Sequence, residues 1–407
     1  MRAGTHSVQS LIPAAEALAR VLQAARPTPG ESVPLADALG RVLAEPIVSA
    51  VALPPFDTSA MDGFAVRVAD LGGLPARLVV QTTIHAGDAP PEPLARDRAA
   101  GIMTGAPLPA GADAVVPVEW TSREGDAVRI ERAPASGQFV RRRGEALGEG
   151  DPLLEAGATV TPAAISIAAA VGLPSLRVAR QPRVAVVSTG DEVVAPGNAV
   201  RPGQIWDANG PGLGAQIQAA GGLRDGPHHV GDAAGAVSDF IAAATDVEVF
   251  VFAGGVSMGE RDRVRPELER CGVEWRFWGV RQRPGKPFAF GTLNGRPVFG
   301  LPGNPVSAAV GVEVYVRPLL DAVLGRPSPA PVRAVLDEAL PKPAGLTAYA
   351  RVRARRGADG RLHLTSAGPQ GSHVARTLLD ADGLAHLPED WTDAPAGSEV
   401  AFAPWQW

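Results

Sequence analysis

The sequence predicts an α/β fold with additional β modules, because three apolar strands alternate with helical patterns in its centre. The strands lie in PRVAVVSTG, VEVFVFAGG and PVFGLPGNP, while GLGAQIQAAGG and VSAAVGVEVYVRPLL have the composition of helices. Strands that are apolar throughout and alternate with helices are typical of a mostly parallel sheet covered on both faces. We therefore predict a central three-layer α/β domain over residues 181–325.

The segments on either side predict β-rich modules and a helical linker. Short β-type runs between Pro and Gly residues, such as ARLVVQTTI and DAVVPVEW, fill residues 27–140, and AYARVRARR and RLHLTSA occur in the tail. Helical patterns occupy residues 11–24 and TPAAISIAAAVG, in which Thr161 is the expected N-cap. The predicted domains are a helical linker domain at 1–26 and 141–180, a β-rich domain at 27–140, the α/β domain at 181–325 and a barrel-like β domain at 326–407.

Composition and charge exclude several classes of protein. A net charge of −5 over 407 residues argues against a broad nucleic-acid-binding face. No apolar run approaches the roughly 20 residues of a membrane helix, and the N-terminal residues lack an apolar signal region, so we expect a cytoplasmic protein that binds no membrane. Cys271 is the only cysteine, which excludes an internal disulfide, and the adjacent His228 and His229 are expected to point apart.

Three glycine-containing loops follow the predicted strands, at the edge where open α/β sheets bind ligands. The loops are STGDE at 188–192, AGGVSMGERD at 253–262 and LPGNPVS at 301–307. Such turns present backbone N–H groups to an anion, and Ser257 and Ser307 add hydroxyl donors. None of them is a Walker A loop and no GxGxxG follows the first strand, so a phosphate-bearing ligand is favoured over the usual P-loop or dinucleotide classes.

Charged residues near these loops indicate a cation and an oxyanion. Asp191, Glu192 and Asp262 would repel a phosphate unless a hard cation such as Mg²⁺ lay between them, and we predict Glu192 and Asp262 as its ligands. In RPGKPFAFG, Lys286 stands at a Pro-Gly corner together with Arg283, where it could reach an oxyanion. The alternative for Lys286 is a solvated turn lysine.

The stretch LPPFDTSAMDGFAVR at 53–67 contains two aspartates, Asp57 and Asp62, around small residues. Pro54 and Pro55 stiffen the approach to the stretch, and Gly63 permits a sharp turn after Asp62. Taken alone, the stretch favours a surface turn that carries solvated acids.

The order of seven motifs resembles one family. The motifs are LPPFDTSAMDGFA, GIMTGAPLPAGADAVV, RRRGE, VAVVSTGDE, AGGVSMGERD, RPGKPFAFG and GLPGNPVSA, and they resemble the molybdopterin molybdenumtransferases, the family that includes the C-terminal domain of gephyrin. The resemblance covers essentially the whole chain. It implies an elongated, four-part homodimer whose middle part is similar to molybdopterin-binding adenylyltransferases. It also implies the conversion of adenylyl-molybdopterin and molybdate to molybdenum cofactor and AMP, with Mg²⁺ required.

The resemblance also implies roles for individual residues. DTSAMDG matches a loop that lies across the dimer from the α/β pocket, with Asp62 as its essential carboxylate. The catalytic positions implied are Asp62, Thr104, Glu192, Asp232, Asp262 and Lys286. The substrate-binding positions implied are Asp57, Ser59, Ser188, Thr189, Gly190, Asp191, Gly254, Gly255, Ser257, Arg283, Pro302, Gly303, Asn304, Pro305 and Ser307. The expected partners are small-molecule substrates, a second copy of the chain, a molybdopterin adenylyltransferase and cofactor-receiving proteins.

The chain departs from the family pattern at three positions and leaves two alternatives open. Thr58 stands where most relatives have Asn, Ala146 where many have Asp, and Gly279 where many have Lys. One alternative is a catalytically weak paralogue that binds molybdopterin or partner proteins as a scaffold. The other is a molybdopterin adenylyltransferase, although that activity needs only the α/β unit and not the long N-terminal half.

Overall fold

The N-terminal half contains a six-stranded sheet and short strands that pair with later parts of the chain. The structure is a computed structural model that describes residues 11–255 and 264–406. Its first elements are β1 (Ile12–Pro13), α1 (Ala14–Leu22), β2 (Gly30–Pro34), β3 (Ile47–Val48), β4 (Thr58–Ser59), β5 (Gly63–Val66), β6 (Ala76–Ile84), β7 (Arg98–Ile102), β8 (Ala114–Pro117), β9 (Thr121–Glu124), β10 (Ala127–Ile130), β11 (Val140–Arg141) and β12 (Pro152–Leu154). The sheet has the order β8-β5-β7-β6-β10-β9 and buries Val116, Val128 and Ile130 in its core.

The central region contains a six-stranded sheet with helices on both faces. Its elements are α2 (Pro162–Ala170), β13 (Ser175–Ala179), β14 (Arg183–Thr189), β15 (Val193–Val194), β16 (Ile205–Trp206), α3 (Asn209–Ala219), β17 (Leu223–Val230), α4 (Ala236–Ala243), β18 (Val249–Ala253), α5 (Val264–Arg270), β19 (Glu274–Trp278), β20 (Val280–Arg283), β21 (Ala289–Leu293), β22 (Arg296–Leu301), α6 (Pro305–Gly311) and α7 (Arg317–Leu324). A π-helical turn at Val312–Val316 joins α6 to α7. The strand order is β17-β14-β18-β22-β21-β19.

Strand direction and burial confirm the predicted α/β domain. Neighbouring strands from β17 to β22 are parallel, and β21 and β19 form an antiparallel edge. Along β14, Val184 and Val186 belong to the core that contains α3, α6 and α7, whereas Ala185 and Val187 belong to the core that contains α4 and α5. Successive side chains of a strand point to opposite faces, so the sheet is the middle of three layers.

The C-terminal region forms a closed barrel-like sheet, as the sequence predicted. Its elements are β23 (Val332–Leu336), β24 (Thr347–Arg356), β25 (Leu362–Ser366), α8 (Arg376–Asp380), β26 (Gly383–Leu387) and β27 (Glu399–Pro404). The strands close in the order β24-β25-β23-β27-β26, because β26 also pairs with β24. Val352, Leu364 and Leu387 lie in its core. None of the described helices combines the length and apolarity that crossing a bilayer requires.

Several contacts cross the domain boundaries that we predicted from the sequence. β2 and β3 pair with β13 and β12, so residues 30–48 pack with residues 152–179 rather than with the six-stranded sheet of the N-terminal half. Helix α1 buries Ala17 and Val21 in the core of the α/β domain. The composition of a strand does not identify the distant strand with which it pairs. The predicted domain boundaries therefore rest on the sequence alone.

Strand β20 links the α/β domain to the barrel. It pairs in parallel with β24 on one side and with β1 on the other. β20 ends at Arg283, where the RPGKP corner begins. The barrel strand β24 therefore lies directly beside this corner.

Candidate functional site

DTSAMDG is tied into the N-terminal half by two other motifs. β4, within the loop, pairs antiparallel with β11, which runs into RRRGE. The Ser59 N–H donates to the Ala106 carbonyl at 3.0 Å, and the Gly105 N–H donates to the Ser59 carbonyl at 2.8 Å. The Ser59 hydroxyl donates to the Met61 carbonyl at 2.5 Å, so it shapes the turn before Asp62. The loop therefore lies between IMTGAP and RRRGE.

Asp57 anchors the loop through both oxygens of its carboxylate. Arg142 Nη1 donates to Oδ2 at 2.7 Å, and the Arg143 N–H donates to Oδ1 at 2.8 Å. The Arg143 N–H, aided by the Arg142 guanidinium, holds the pKa of Asp57 below its ordinary value against the opposing effect of burial. Asp57 is therefore ionised at neutral pH, and its charge is used to hold the loop.

Asp62 is exposed and is held by a single residue. The N–H and the hydroxyl of Thr104 donate to Asp62 Oδ1 at 2.7 and 2.8 Å. These two hydrogen bonds, the backbone one first, lower the pKa of the carboxyl. Asp62 therefore presents an ionised carboxylate to solvent, and Thr104 fixes its direction.

The first strand-end loop leaves β14 through a glycine whose positive φ would strain any other residue. Gly190 has a φ of +119°, and a Cβ there would lie 2.4 Å from Glu192 Oε2. Ser188 and Thr189 are buried. The Ser188 hydroxyl donates to Asp207 Oδ1 at 2.9 Å, so it faces the protein interior.

Asp191 and Asp232 lie in adjacent loops, and the carboxylate of each accepts the backbone N–H of the other. The Asp232 N–H donates to Asp191 Oδ1 at 2.9 Å, and the Asp191 N–H donates to Asp232 Oδ2 at 3.4 Å. Asp262 and Ser257 lie outside the described residues, so the pairing of Glu192 with Asp262 on a cation stays a prediction. Within residues 11–255 and 264–406, no group of three His, Cys, Asp or Glu side chains is arranged to hold a metal ion.

The second and third loops approach each other at two glycines. The Gly254 N–H donates to the Leu301 carbonyl at 3.0 Å, and a Cβ on Gly303 would lie 3.7 Å from Gly254 Cα. Gly254 and Gly255 have φ values of +98° and +62°, and a Cβ on either would lie 2.8 to 3.0 Å from Thr189 Oγ1. Of the other positions in the third loop, Pro302 and Ser307 are buried, Asn304 is exposed, and Pro305 begins α6. The ends of β14, β18 and β22 therefore meet at one edge.

The side chain of Gln282 supports the RPGKP corner. The side-chain amide of Gln282 donates to the carbonyls of the Pro-Gly pair, each at 3.2 Å. The same amide accepts a hydrogen bond from the buried hydroxyl of Tyr315, which comes from the helical layer. The turn is thereby fixed, and Arg283 and Lys286 are both exposed on it.

Arg351, in the middle of β24, is fully buried beside this corner. Its guanidinium donates to Thr377 Oγ1 at 3.0 Å and to the carbonyls of Pro369 and Gly371 at 3.3 and 3.2 Å. Its Nη1 is buried without a hydrogen-bond partner among the described residues. Burial, together with the positive charge of Arg283, lowers its pKa to about 10, so it stays protonated at neutral pH. A desolvated cation with a spare N–H donor suits an anionic ligand.

The segment around Ser372 connects the buried arginine to the third loop. Asn304 Nδ2 donates to Ser372 Oγ at 3.2 Å, one residue after the carbonyl that Arg351 contacts. Sequence reasoning missed both Arg351 and Ser372. Arg351 stands in AYARVRARR, where alternating arginines are typical of a solvated strand face, and the neighbouring Arg353 and Arg355 do not share its burial. The segment 369–377, which contacts the Arg351 guanidinium, distinguishes it from them.

The predicted site residues fall into two groups within one chain. The hydrogen bonds that hold Asp57 and Asp62 come from residues 104–143. Those that hold the strand-end loops come from the α/β domain and the barrel.

His228 and His229 contact different partners, Asp225 Oδ1 at 2.6 Å and the Gly190 carbonyl at 2.8 Å, as expected.

Comparisons with known proteins cover all of these regions. Residues 12–172 match the MoeA N-terminal region (domain I and II), residues 185–322 a probable molybdopterin binding domain, and residues 333–405 the MoeA C-terminal region (domain IV). The crystal structure of the molybdopterin biosynthesis MoeA protein from Pyrococcus horikosii superimposes with a TM-score of 0.83 at 33% identity, over 97% of this chain and 99% of that chain. Three such regions in this order define a multidomain MoeA-like protein.

Curated relatives identify the family. Molybdopterin molybdenumtransferase 2 of Mycobacterium tuberculosis (strain ATCC 25618 / H37Rv) is 39% identical over 399 residues, which cover 94% of this chain and 96% of the relative. Molybdopterin molybdenumtransferase of Haemophilus influenzae is 35% identical over 93% of this chain and 94% of the relative. The chain belongs to the molybdopterin molybdenumtransferase family, a family of transferases, and has a role in molybdenum cofactor biosynthesis.

The anchoring role of Asp57 generates a prediction about stability. The pKa of Asp57 is lower in the folded state than its ordinary value of 3.8. Its ionised carboxylate therefore contributes to the free energy of unfolding above the pKa of the unfolded state, and this contribution is lost as the pH falls through the pKa of the folded state. Asp57→Asn should cost about 1 kcal/mol at pH 7, a small figure because solvent screens the pair. Urea unfolding of Asp57→Asn and wild type at pH 7 and pH 3 measures this, and the difference in stability between the two should be smaller at pH 3. Asp126→Asn, at a side chain that is 81% exposed, is the control. Equal stability at pH 7 would contradict the anchoring role.

Proposed function

We propose that this chain inserts molybdenum into adenylyl-molybdopterin and releases AMP, with Mg²⁺ required, and that it does so as a homodimer in the cytoplasm. The observation that carries the proposal is the pair of exposed cations, Arg283 and Lys286, on the turn that Gln282 fixes, with the buried guanidinium of Arg351 close enough to Arg283 for their charges to interact. Both substrates are anions, and a cluster of cations beside strand-end N–H groups supports their capture.

The carboxylates at the sheet edge would suit a hard cation, which substrate phosphates would also bind. Mg²⁺ usually takes one or two carboxylates together with water and substrate phosphates, so a cluster of three protein ligands is not required. We assign Glu192, with Asp262, to hold it, and Asp232 to nucleotide handling. When bound, Mg²⁺ neutralises charge on the phosphoanhydride. The protein contributes the carboxylates, and the backbone N–H groups of the glycine loops bind the phosphate.

We assign Asp62 to orient or activate the group that attacks phosphorus. The carboxylate is ionised, exposed and directed by Thr104, and it belongs to a different part of the chain from the strand-end loops. A second copy of the chain would bring DTSAMDG to the α/β pocket, so each site would be composite. This arrangement explains why an exposed loop carries so many internal hydrogen bonds, since a residue that acts across an interface must be positioned beforehand.

The alternatives are not favoured, and the backbone bears on one of the departures from the family pattern. Gly279 has a φ of +90°, a region that residues with a Cβ rarely adopt, so a lysine at this position would be strained. Ala146 is exposed, and its N–H donates to the Leu53 carbonyl at 3.0 Å. The match to transferase relatives through residues 12–172 argues against an adenylyltransferase. Supply by an adenylyltransferase and delivery to cofactor-receiving proteins are further parts of the proposal.

The first test measures AMP release in a single turnover, with adenylyl-molybdopterin, molybdate and Mg²⁺ at saturation. Wild type should release AMP, and Asp62→Asn should slow release about 10²- to 10⁴-fold, as is typical for the loss of a positioned acid or base. Asp88→Asn is the matched control, because Asp88 is also exposed and also accepts a backbone N–H, from His85 at 2.7 Å. Near-normal release by Asp62→Asn would make Asp62 a solvated turn residue, and no release by wild type would overturn the activity.

The second test concerns the basic corner. Lys286→Ala should raise the molybdate concentration needed for half-maximal AMP release by at least about 10-fold, because it removes a charge-assisted hydrogen bond. The thermal midpoint should hardly change, since the turn is held by Gln282 and not by the lysine side chain. Arg353→Ala, at an exposed cation on β24, is the control. A loss of stability with an unchanged molybdate requirement would make the corner structural.

A further inference from the structure

The RPGKP corner directs three successive peptide carbonyls into the protein. The carbonyls of Pro284 and Gly285 accept the side-chain amide of Gln282, each at 3.2 Å, and the Lys286 carbonyl accepts the Val280 N–H at 2.9 Å. Pro284 and Gly285 are buried, whereas Lys286 is exposed. Carbonyl oxygens carry partial negative charge and repel an anion, so their inward direction leaves the outer face of the corner to its cations.

The side-chain amide of Gln282 depends in turn on Tyr315. Gln282 is 1% exposed, and because the two turn carbonyls can only accept, its nitrogen must face them and its oxygen must face away from them. The Tyr315 hydroxyl donates to that oxygen. Without this donor the oxygen would be a buried acceptor with no hydrogen bond, an arrangement that favours a different position of the amide.

Tyr315 is fixed in place as a hydrogen-bond donor. Its side chain is fully buried, and its ring stacks on that of Phe288, with the two ring centroids 4.2 Å apart. Burial, and after it the neighbouring Tyr349, raises the pKa of Tyr315, so the hydroxyl keeps its proton at neutral pH. A phenylalanine at this position would preserve the stacked ring and remove the hydroxyl alone.

Gly285 makes the direction of the carbonyls dependent on Gln282. It has a φ of +89°, and a Cβ there would lie 2.9 Å from Gln282 Nε2, so the amide packs directly against the backbone of the turn. Glycine has the widest range of backbone conformations, and the peptide groups beside it rotate most readily. Loss of the hydrogen bonds from Gln282 would therefore free these carbonyls to turn toward a bound anion.

We propose that Gln282 and, through it, Tyr315 are positioning residues for oxyanion binding. They hold the carbonyls of the turn inward, so that the exposed side chains of Arg283 and Lys286 meet the anion without opposing carbonyl oxygens. Both are buried, and neither contacts the anion itself. This assignment rests on the proposed function, which supplies molybdate as the oxyanion.

Calorimetric titration of molybdate into the full chain tests this assignment. Tyr315→Phe should raise the Kd for molybdate about 10-fold, and Gln282→Met should raise it by at least as much, because it removes the amide. Tyr315→Phe should add little in the Gln282→Met background, since Tyr315 acts through Gln282. The double variant has apolar side chains at both buried positions, so it keeps the test decisive if a single variant does not fold. Thr292→Val, which removes another buried hydroxyl of the α/β domain, is the control and should bind molybdate as wild type does.

The chemical reactivity of Lys286 locates the effect at the corner. Lys286 and Lys342 are the only lysines in the chain, and Lys342 is 8% exposed, with its ammonium bonded to three backbone carbonyls. Molybdate should protect Lys286 of the wild type against acetylation by an N-hydroxysuccinimide ester, as measured by mass spectrometry of its peptide. Protection should require about 10-fold more molybdate in Tyr315→Phe. The acetylation of Lys342 should not respond to molybdate.

The outcomes separate this assignment from the proposed function. A wild-type Kd for molybdate in Tyr315→Phe, or an effect of that variant that adds in full to the effect of Gln282→Met, overturns the assignment. A wild type that binds no molybdate overturns it as well. AMP release is measured separately: its absence, in a chain whose variants do weaken molybdate binding, contradicts only the proposed function. AMP release by a wild type whose variants bind molybdate normally contradicts only the assignment of Gln282 and Tyr315.

Discussion

Strand β20 belongs to two parts of the molecule, and the arrangement of the candidate site depends on that fact. Its residues pair with β24 of the barrel, and it ends in the turn that carries Arg283 and Lys286. Gln282, on the same strand, bonds the turn on one side and Tyr315 of the helical layer on the other. Main-chain pairing between two strands fixes which residues lie opposite each other and to which face of the sheet each side chain points. The barrel therefore brings Arg351 to the edge where the strands of the α/β domain end.

Electrostatics differ between the two groups of residues that we assign to the reaction. Arg351 is desolvated and hydrogen-bonded mainly to neutral acceptors, an arrangement that costs free energy until an anion arrives. Asp62 is solvated and ionised, and Thr104 directs it at little cost. One group is suited to capturing anionic substrates and the other to presenting a carboxylate to them. Separate parts of the chain hold these groups, and the proposed function assigns their meeting to a second copy of the chain.

The sequence predicted what local pattern determines and missed what distant pairing determines. The uninterrupted apolar runs of β14, β18 and β22 were sufficient to predict the parallel sheet, and the glycines after them predicted the loops. Thr161 caps α2 as predicted, with its Oγ1 accepting the Ala164 N–H at 3.2 Å. The pairing of β2 with β13 joins residues more than a hundred positions apart, and the burial of Arg351 depends on the segment 369–377, whose path the local pattern does not reveal.

The measurement that tests the composite site most directly uses mixed dimers. Asp62→Ala subunits and Glu192→Ala subunits, each with its own affinity tag, are co-purified as heterodimers and assayed for AMP release beside the two homodimers. The account predicts that both homodimers are inactive and that the heterodimer recovers roughly half of the wild-type rate, because one of its two sites contains neither substitution. A heterodimer no more active than either homodimer, or a monomer with undiminished activity, would contradict it.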